Sequence, residues 1–423
     1  MSGPARPPAD GAHADVCVVG GGPAGLTLAL LMLRSGARVT LVERGRSLER
    51  AYRGEILQPG GQALLDALGV LEGARRRGCY EHDGFRLEER GRTLVDGDYR
   101  QLPAPYNCLL SLAQRHLLTD LLERCLAHPR FTCLTGTKVN GLVEEGGVVR
   151  GVVCGGGADG RVVRADCVVG ADGRYSTVRR LAGIPYDRIE LFDQDVLWCR
   201  ITAPATRTVR VFRAGGNPVL AYTSFPDRVQ LGWTLPHQGY QPLARRGFAH
   251  VKGLILAAVP EYADEVDQQV RSFGDVSLLD VFAGSARRWA RDGLLLIGDS
   301  AHTHGPIGAQ GINLAIQDAV AAHPVLCEGL RRRDLSARFL NAVAARRRPE
   351  TARATRVQAM QSRMMLSTGR VSAVVRPKAA MLVSRTPAYR SVLRRIAYGD
   401  RALRVRSDLF QSDLLQEGGP APG

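Results

Sequence analysis

The chain has 423 residues, of which 45% are hydrophobic and 23% charged, so it is long enough for two or three packed units around a large buried ligand. Its nine cysteines are scattered and include no C-x-x-C pair, which excludes a disulfide scaffold and a dithiol reductase. The net charge of +16 comes almost entirely from arginine, with no nucleic-acid recognition motif beside it, so we expect no nucleic-acid partner.

The chain begins with the pattern of a strand, a glycine turn, a helix and a second strand. Apolar residues fill 15–19, the turn spans 20–25, an apolar helical stretch covers 26–35, and a second strand over 37–42 ends on Glu43. This order is a βαβ unit that opens a parallel sheet.

The glycine turn, Gly-Gly-Gly-Pro-Ala-Gly, has the form of a dinucleotide-binding motif. A helix N-terminus presents free N–H groups and a partial positive charge, so a pyrophosphate binds there if the backbone is bare enough to approach. Gly20 permits the tight turn, Gly22 the close approach, and Gly25 the packing of helix against sheet. Glu43 stands where an acidic side chain accepts hydrogen bonds from the adenosine ribose. The candidate contacts in this unit are Gly20, Gly22, Pro23, Ala24, Gly25, Glu43 and Arg44.

The middle of the chain is predicted to return to the first sheet and to form a second one. An amphipathic helix over 114–128 is followed by three short strands. Two other stretches, 79–102 and 185–282, alternate apolar with polar residues as half-buried antiparallel strands do, so we expect them to form a second sheet. The three short strands lie near 131–134, 148–153 and 166–169.

A second candidate contact with the dinucleotide is the sequence Gly-Ala-Asp-Gly-Arg over 170–174. Asp172 would hold the phosphate or ribityl region of the dinucleotide while Gly173 makes the turn. The same pattern also fits an ordinary junction between a strand and a helix. The sequence alone leaves both interpretations open.

A third segment combines a strand end, an acid and a glycine-lined helix start. The strand over 294–297 precedes Asp299, which is placed to bind a sugar-like polyol chain, and the next helix starts within 306–313. A helix N-terminus there would stabilise negative charge on a reduced flavin by ~1 kcal/mol or more. His302 and His304 have no carboxylate or cysteine ligand pattern around them, so we predict no metal site.

The last part of the chain has helical patterns. They cover 312–330 and 335–366, with a break predicted at Pro349. The Arg-rich tail over 369–410 is interpreted as a solvated cap, with peripheral contact to an acidic surface as the alternative. No run reaches the roughly 18 apolar residues that a membrane helix needs, so we expect a cytoplasmic monomer or homodimer without integral membrane association.

The three segments occur in the order found in the group A flavoprotein monooxygenases, and the sequence resembles this family from residue 14 to about residue 345. The resemblance implies FAD as the bound dinucleotide. It also implies contacts of Glu43 with the adenosine ribose, of Asp172 in the Asp-Gly motif, and of Asp299 with the ribityl chain.

A fourth segment, over 53–61, is similar to the flavin-flanking stretch of squalene epoxidase and polyene epoxidases. In that alignment Arg115 matches the family arginine that reaches the FAD. The resemblance gives Arg53 and Asp299 as candidate catalytic residues, with Arg53 also in contact with the cofactor. The further cofactor contacts that it implies are Val139, Pro306, Gly308, Gln310, Gly311, Ile312 and Asn313.

The expected fold is α/β. A Rossmann-like FAD-binding domain of the glutathione reductase type, with a parallel sheet, is interleaved with an antiparallel-sheet substrate domain and followed by a helical C-terminal segment. We expect the FAD-binding domain over 14–78, 106–184 and 284–345, the substrate domain over 79–105 and 185–283, and the basic helical segment, with a disordered end, over 346–423.

The resemblance implies an enzyme in which NADPH or NADH reduces FAD and one atom of O2 is inserted into a small apolar organic substrate. This substrate, free or carrier-bound, would belong to polyketide or terpenoid secondary metabolism, and epoxidation and hydroxylation both remain open. Tyr222 and Trp233 are weak candidates for the pocket wall, and an ordinary core position is the favoured interpretation of each. A halogenase, a double-bond reductase of the same fold and a non-catalytic lipid or prenyl binder are the competing functions.

Overall fold

The computed structural model describes residues 13–48, 54–155, 160–192, 194–214, 216–366, 382 and 386–411. The candidate residue Arg53 lies outside these residues. The end of the tail, for which we expected disorder, also lies outside them. The described strands are β1 (Ala14–Val19), β2 (Val39–Val42), β3 (Ile56–Leu57), β4 (Cys79–His82), β5 (Gly84–Glu89), β6 (Arg92–Asp98), β7 (Leu109–Leu112), β8 (Phe131–Leu134), β9 (Val139–Glu145), β10 (Val148–Cys154), β11 (Arg161–Gly170), β12 (Tyr186–Ile189), β13 (Gln194–Thr202), β14 (Thr208–Arg213), β15 (Val219–Ser224), β16 (Arg228–Pro236), β17 (Val276–Leu279), β18 (Ala283–Ala286), β19 (Ala290–Arg291), β20 (Leu294–Leu296) and β21 (His302–Thr303). The described helices are α1 (Pro23–Arg34), α2 (Pro59–Ala67), α3 (Leu71–Arg76), α4 (Gln114–Leu126), α5 (Thr177–Leu181), α6 (Tyr240–Ala244), α7 (Phe248–Ala258), α8 (Ala263–Gln269), α9 (Gly311–Arg332), α10 (Ala337–Leu366) and α11 (Pro387–Tyr398).

An eight-stranded sheet forms the centre of the first unit. Its strands follow the order β19-β20-β11-β1-β2-β8, and β10 and β9 extend it from the first half of β11. β1 runs parallel to β2 and β11, β2 is parallel to β8, and β11 is parallel to β20. The carboxyl ends of these parallel strands therefore meet at one edge, where open α/β sheets bind their ligands.

Helix α1 shows how the apolar pattern builds this unit. Its side chains from Ala24 to Leu33 are all buried, because α1 packs between the sheet and the helices α4 and α9. A helix that is apolar on every face must be enclosed in this way. Each fully buried leucine contributes ~1.5–3 kcal/mol relative to an exposed one.

The second unit is a seven-stranded sheet in the order β17-β13-β16-β15-β14-β5-β6. Its pairs are antiparallel except for β14 and β5, which run parallel. One face packs on α7 and α8 through a core that includes Trp233, Val251 and Ile255. The opposite face contacts segments of the first unit and α11 through a second apolar cluster that includes Trp198 and Tyr222.

Several features differ from the sequence-based expectation. β12, which we expected in the second sheet, pairs with β18 in a separate three-stranded sheet that also contains β21. β4 pairs with β7 in a small sheet completed by β3, and not with the seven-stranded sheet. β9 had no counterpart among the predicted strands. The expected break at Pro349 is absent, since α10 continues through it. The buried face of α10, with Leu340 and Val343 fully enclosed, keeps this helix continuous although proline removes one backbone hydrogen bond.

Two buried histidines predict how stability depends on pH. Burial lowers the pKa of His82 to about 4 and that of His323 to about 4, from an ordinary value of 6.5. Below pH 6.5 the unfolded chain takes up a proton on each side chain that the folded chain does not take up until about pH 4. We therefore expect the free energy of unfolding to fall by up to ~1.4 kcal/mol per pH unit for each histidine as the pH drops through this window.

Urea unfolding of the wild type at neutral pH and near pH 5 measures this dependence. The double variant His82→Gln/His323→Gln is expected to lose less stability between the two pH values than the wild type does. An equal loss in both proteins would contradict the assignment.

The described helices include none that is both long and apolar enough to cross a membrane.

Candidate active site

A cavity of about 600 Å³ lies between the carboxyl edge of the parallel sheet and the inner face of the second sheet. Residues from all three glycine-and-acid segments line it, including Gly22, Asp172 and Asp299. The separated motifs of the sequence therefore meet at one place. The predicted site residues along its wall are Gly20, Gly22, Pro23, Ala24, Glu43, Arg44, Val139, Asp172, Tyr222, Asp299, Pro306, Gln310, Gly311 and Ile312.

The first glycine segment is packed so closely that side chains are excluded. A Cβ atom on Gly20 would lie 2.4 Å from the carbonyl oxygen of Ala171, and Gly20 has a φ of +110°. A Cβ atom on Gly25 would lie 1.9 Å from the carbonyl oxygen of Gly20. Gly25 does not line the cavity, and its role is to bring α1 against β1. The first turn of α1 has no side-chain cap, which leaves its N–H groups for an anion in the cavity.

Glu43 follows β2 and is almost fully buried at the cavity wall. Its Oε2 accepts a hydrogen bond of 2.6 Å from the backbone N–H of Gly21, and its Oε1 accepts one of 2.8 Å from that of Gly45. The carboxylate thus fixes the glycine turn and its own loop at the same time, and it remains part of the cavity wall.

Asp172 lines the cavity and also caps a helix. Its Oδ2 accepts hydrogen bonds from the N–H groups of Thr177 and Val178, and its Oδ1 accepts from the hydroxyls of Ser176 and Ser300. The junction between strand and helix is therefore present, and the contact of Asp172 with the dinucleotide stays a prediction. The residue joins the strand to α5, and it ties the second segment to the third through Ser300.

Asp299 lies in a short turn after β20, where its Oδ2 is 3.9 Å from Nε of Arg174 across the cavity wall. The following segment bends sharply at Gly308, with a φ of +73°, before α9 begins at Gly311. A Cβ atom on Gly311 would meet nothing within 4 Å. The start of α9 is therefore open toward the cavity.

A buried polar network holds the third segment, which contains Asp299, in place. Asp318 on α9 accepts hydrogen bonds from the backbone N–H of Gly298 at 2.9 Å and from Nε of Arg347 at 2.7 Å, and it lies 2.6 Å from Nε2 of His302. His302 also lies 2.8 Å from His304, which lines the cavity. Burial alone would raise the pKa of Asp318, but His302 and Arg347 hold this pKa well below its usual range.

Three of the expected contacts lie behind the cavity wall. Asn313 accepts a hydrogen bond from the backbone N–H of Gln58 and donates one to the carbonyl of Ala309, so it holds the loop before α9. The carbonyl oxygen of Gly308 accepts hydrogen bonds from the side-chain amides of Gln58 and Gln310. Arg115 contacts His116, while the neighbouring Gln114 lines the cavity.

Trp233 has the ordinary core position that we favoured and is not part of the cavity wall. Its side chain belongs to the core between the second sheet and α7, on the face away from the cavity. Trp198 occupies the inner face instead, opposite Gly232, where a Cβ atom would lie 2.8 Å from the Trp198 ring. Successive side chains of a strand point to opposite faces of the sheet. Trp233 and Leu231 therefore share one face of β16, while Gln230, which lines the cavity, is on the other. This alternation in the sequence indicates the position of Trp233.

The described part of the tail has the exposed arginines of the solvated cap that we expected, but one of its faces is buried. Leu393 and Ala397 of α11 pack in the apolar cluster with Trp198 and Tyr222. The carbonyl of Ile396 accepts a hydrogen bond of 3.0 Å from the side chain of Gln310. Helix α11 thus supports both the inner face of the second sheet and the loop before α9. The spacing of four residues between Leu393 and Ala397 was the available sequence signal.

Known proteins resemble most or all of the chain. It matches the family described as FAD binding domain over residues 13–358. The chain belongs to this family, the group A flavoprotein monooxygenases. It is 89% identical over 421 residues to 6-methylpretetramide 4-monooxygenase of Streptomyces rimosus, with 100% of both chains covered. It is 29% identical over 340 residues to protoasukamycin 4-monooxygenase of Streptomyces nodosus subsp. asukaensis, covering 77% of this chain and 82% of that protein.

Among solved structures, PqsL of P. aeruginosa in complex with 2-aminobenzoylacetate is similar with a TM-score of 0.74 at 25% identity. The likeness covers 86% of this chain and 100% of that chain. These findings confirm the predicted fold and the prediction of an FAD-dependent monooxygenase.

The residues of the cavity fit FAD. Bare backbone at Gly20 and Gly22 faces the uncapped start of α1, which suits a pyrophosphate. Asp299 and the open start of α9 line the same cavity, as do residues of the inner face of the second sheet. A single elongated dinucleotide can therefore reach from the first segment to the third.

Filling the start of α9 tests this arrangement. Leucine in place of Gly311 projects into the cavity, since no atom lies within 4 Å of the Cβ position. We expect the variant Gly311→Leu to be purified with much less FAD than the wild type, while Gly311→Ala retains most of it. Flavin absorbance after desalting measures the difference, and full retention by the leucine variant would place the flavin elsewhere.

Proposed function

We propose that this protein hydroxylates 6-methylpretetramide, or a close structural relative, at position 4, with NADPH or NADH as the electron donor. The identity of 89% over the full length to the Streptomyces rimosus enzyme supports the substrate. Of the two outcomes that the sequence left open, we favour hydroxylation over epoxidation.

The wall beside the inner face of the second sheet is suited to an aromatic substrate. Trp198, Leu220, Leu279 and Val281 line it, and the Trp198 ring meets the Tyr222 ring edge to face at 6.1 Å. FAD, when bound and reduced, supplies the chemistry that activates O2 and delivers one oxygen atom. The apolar wall excludes water from the place where this oxygen atom is transferred.

The remaining site residues have roles in cofactor binding in this proposal. The start of α1 binds the pyrophosphate, and the segment around Glu43 and Arg44 contacts the adenosine end. Asp299 accepts hydrogen bonds from the ribityl hydroxyls, and the start of α9 stabilises negative charge on the flavin. All of these residues line one cavity, which supports these assignments.

Turnover with 6-methylpretetramide tests the proposal. The purified protein, FAD, the substrate and NADPH or NADH are incubated under isotope-labelled O2, and products are analysed by mass spectrometry. One labelled oxygen atom at position 4 is expected. Oxidation of the nicotinamide without a labelled product, for both donors, would contradict the proposed substrate. A hydroxylated product without the label would show that its oxygen came from water and would contradict oxygen insertion from O2.

A further inference from the structure

A polar cluster interrupts the apolar wall of the cavity. Glu55, Tyr222 and Gln230 line the cavity, and Ser224 and Arg200 contact Glu55. We call these five residues the Glu55 cluster. Apart from Arg200, each is at least nine-tenths buried. The neighbouring wall is formed by Ile56, Trp198, Leu220, Leu279 and Val281.

Strand register places three members of the Glu55 cluster side by side. Gln230 on β16 is the direct partner of Arg200 on β13 and of Tyr222 on β15. Directly paired residues point to the same face of a sheet. Glu55 precedes β3 and reaches this row from the first unit, so the cluster bridges the two units across the cavity.

The contacts of Glu55 leave acceptor capacity on one oxygen. Its Oε2 accepts a hydrogen bond of 2.5 Å from the Ser224 hydroxyl. Its Oε1 lies 3.5 Å from Nη2 of Arg200, beyond the distance of a charge-assisted hydrogen bond. When the Gln230 amide is oriented with its oxygen toward Arg200, this oxygen accepts two hydrogen bonds of 2.9 Å from the guanidinium. Arg200 is thereby directed partly away from Glu55.

Tyr222 adds a donor beside this carboxylate. Burial, together with the negative charge of Glu55, raises the pKa of Tyr222 well above its ordinary value, so the hydroxyl stays protonated. The described residues provide no hydrogen-bond partner for this hydroxyl. A buried carboxylate and a buried hydroxyl are costly in an apolar wall unless a partner satisfies them.

We propose that Glu55 and Tyr222 recognise the hydroxyl-bearing edge of the aromatic substrate. Oε1 of Glu55 accepts a hydrogen bond from a phenolic hydroxyl, and the Tyr222 hydroxyl donates to a neighbouring oxygen of the substrate. The ligand class is a polycyclic aromatic with hydroxyl and oxo groups on one edge. This inference rests on the proposed function and names the side chains that orient the substrate.

The experiment compares ligand binding to the oxidised holoenzyme, followed by the change in flavin absorbance. The probes are 6-methylpretetramide and its methyl ether, with dihydroxyanthraquinone and its dimethyl ether titrated in parallel. The variants are Glu55→Gln and Tyr222→Phe. The second removes no hydrogen bond among the described residues, so it is expected to fold. The control is Glu88→Gln, since Glu88 pairs with Arg210 at 2.7 Å on the same sheet but does not line the cavity.

The wild type is expected to bind each hydroxylated probe about tenfold or more tightly than its ether, as the loss of a charge-assisted hydrogen bond implies. Glu55→Gln should lose most of this ratio. Tyr222→Phe should bind the hydroxylated probe and its ether more weakly by a similar factor, because the donor it loses serves both, and Glu88→Gln should keep the ratio and the affinities. An unchanged ratio in Glu55→Gln would overturn the proposal and assign Glu55 to holding the two units together, and unchanged affinities in Tyr222→Phe would overturn the role of Tyr222. A wild type that discriminates between the anthraquinones but does not bind 6-methylpretetramide would refute the proposed substrate and leave the proposed recognition supported. A wild type without preference for either hydroxylated probe would overturn the recognition itself.

Discussion

Alanine in place of Gly25 is expected to give a protein that no longer retains FAD. The added Cβ atom would lie 1.9 Å from the carbonyl oxygen of Gly20 and 3.2 Å from the side chain of Val18. The first contact is with backbone, so α1 must move away from β1. Because α1 is buried on every face, this movement disturbs the core and widens the glycine turn. We expect a loss of ~1–3 kcal/mol in the free energy of unfolding, as for other overpacked positions.

Gly253→Ala is the matched control. Gly253 also lies within a helix, α7, but a Cβ atom there meets nothing within 4 Å. Alanine at this position should leave the flavin content unchanged and stabilise the protein by ~0.5–1 kcal/mol. Flavin absorbance after desalting and urea unfolding measure both effects. A Gly25→Ala protein with full flavin content would refute the close-packing role of this glycine.

The first unit could be predicted from the sequence because its signals are local. The run of apolar residues in α1, the glycine turn and the acid after β2 all lie within 30 residues of one another, and each has a direct physical meaning. The parallel pairing of β14 with β5 has no such signal. It joins segments more than 100 residues apart, and the choice of partner depends on which edge of the sheet remains open.

In the candidate site, too, some residues could be predicted from local signals and others depend on packing between distant segments. Residues at strand ends, such as Glu43 and Asp299, could be predicted because the carboxyl ends of parallel strands meet at one edge. Trp198 and Gln230 were missed, since their position in the cavity depends on which face of the second sheet is covered by helices. The contribution of α11 was also missed, because an Arg-rich helix is ordinarily solvated and the four-residue spacing of Leu393 and Ala397 does not tell which part of the molecule that face contacts.

The variant Asp318→Asn is expected to have a lower free energy of unfolding than the wild type and to retain less FAD. Asp318 and Arg347 are both fully buried, and Nη1 and Nη2 of Arg347 have no hydrogen-bond partner among the described residues. Removing the negative charge leaves a buried guanidinium uncompensated, which costs ~3–5 kcal/mol. The same change weakens the acceptor for the N–H of Gly298, so the turn that contains Asp299 is less firmly held.

The control for Asp318→Asn is a carboxylate on α10, the helix that carries Arg347. Glu350→Gln breaks the more exposed ion pair with Arg353, and it should cost less than ~1 kcal/mol. The double variant Asp318→Leu/Arg347→Met removes both charges and should recover much of the stability lost in Asp318→Asn. It should not recover FAD retention, because leucine cannot accept a hydrogen bond from Gly298. Urea unfolding and flavin content separate the two effects. Recovery of both properties in the double variant would show that Asp318 serves only to neutralise Arg347.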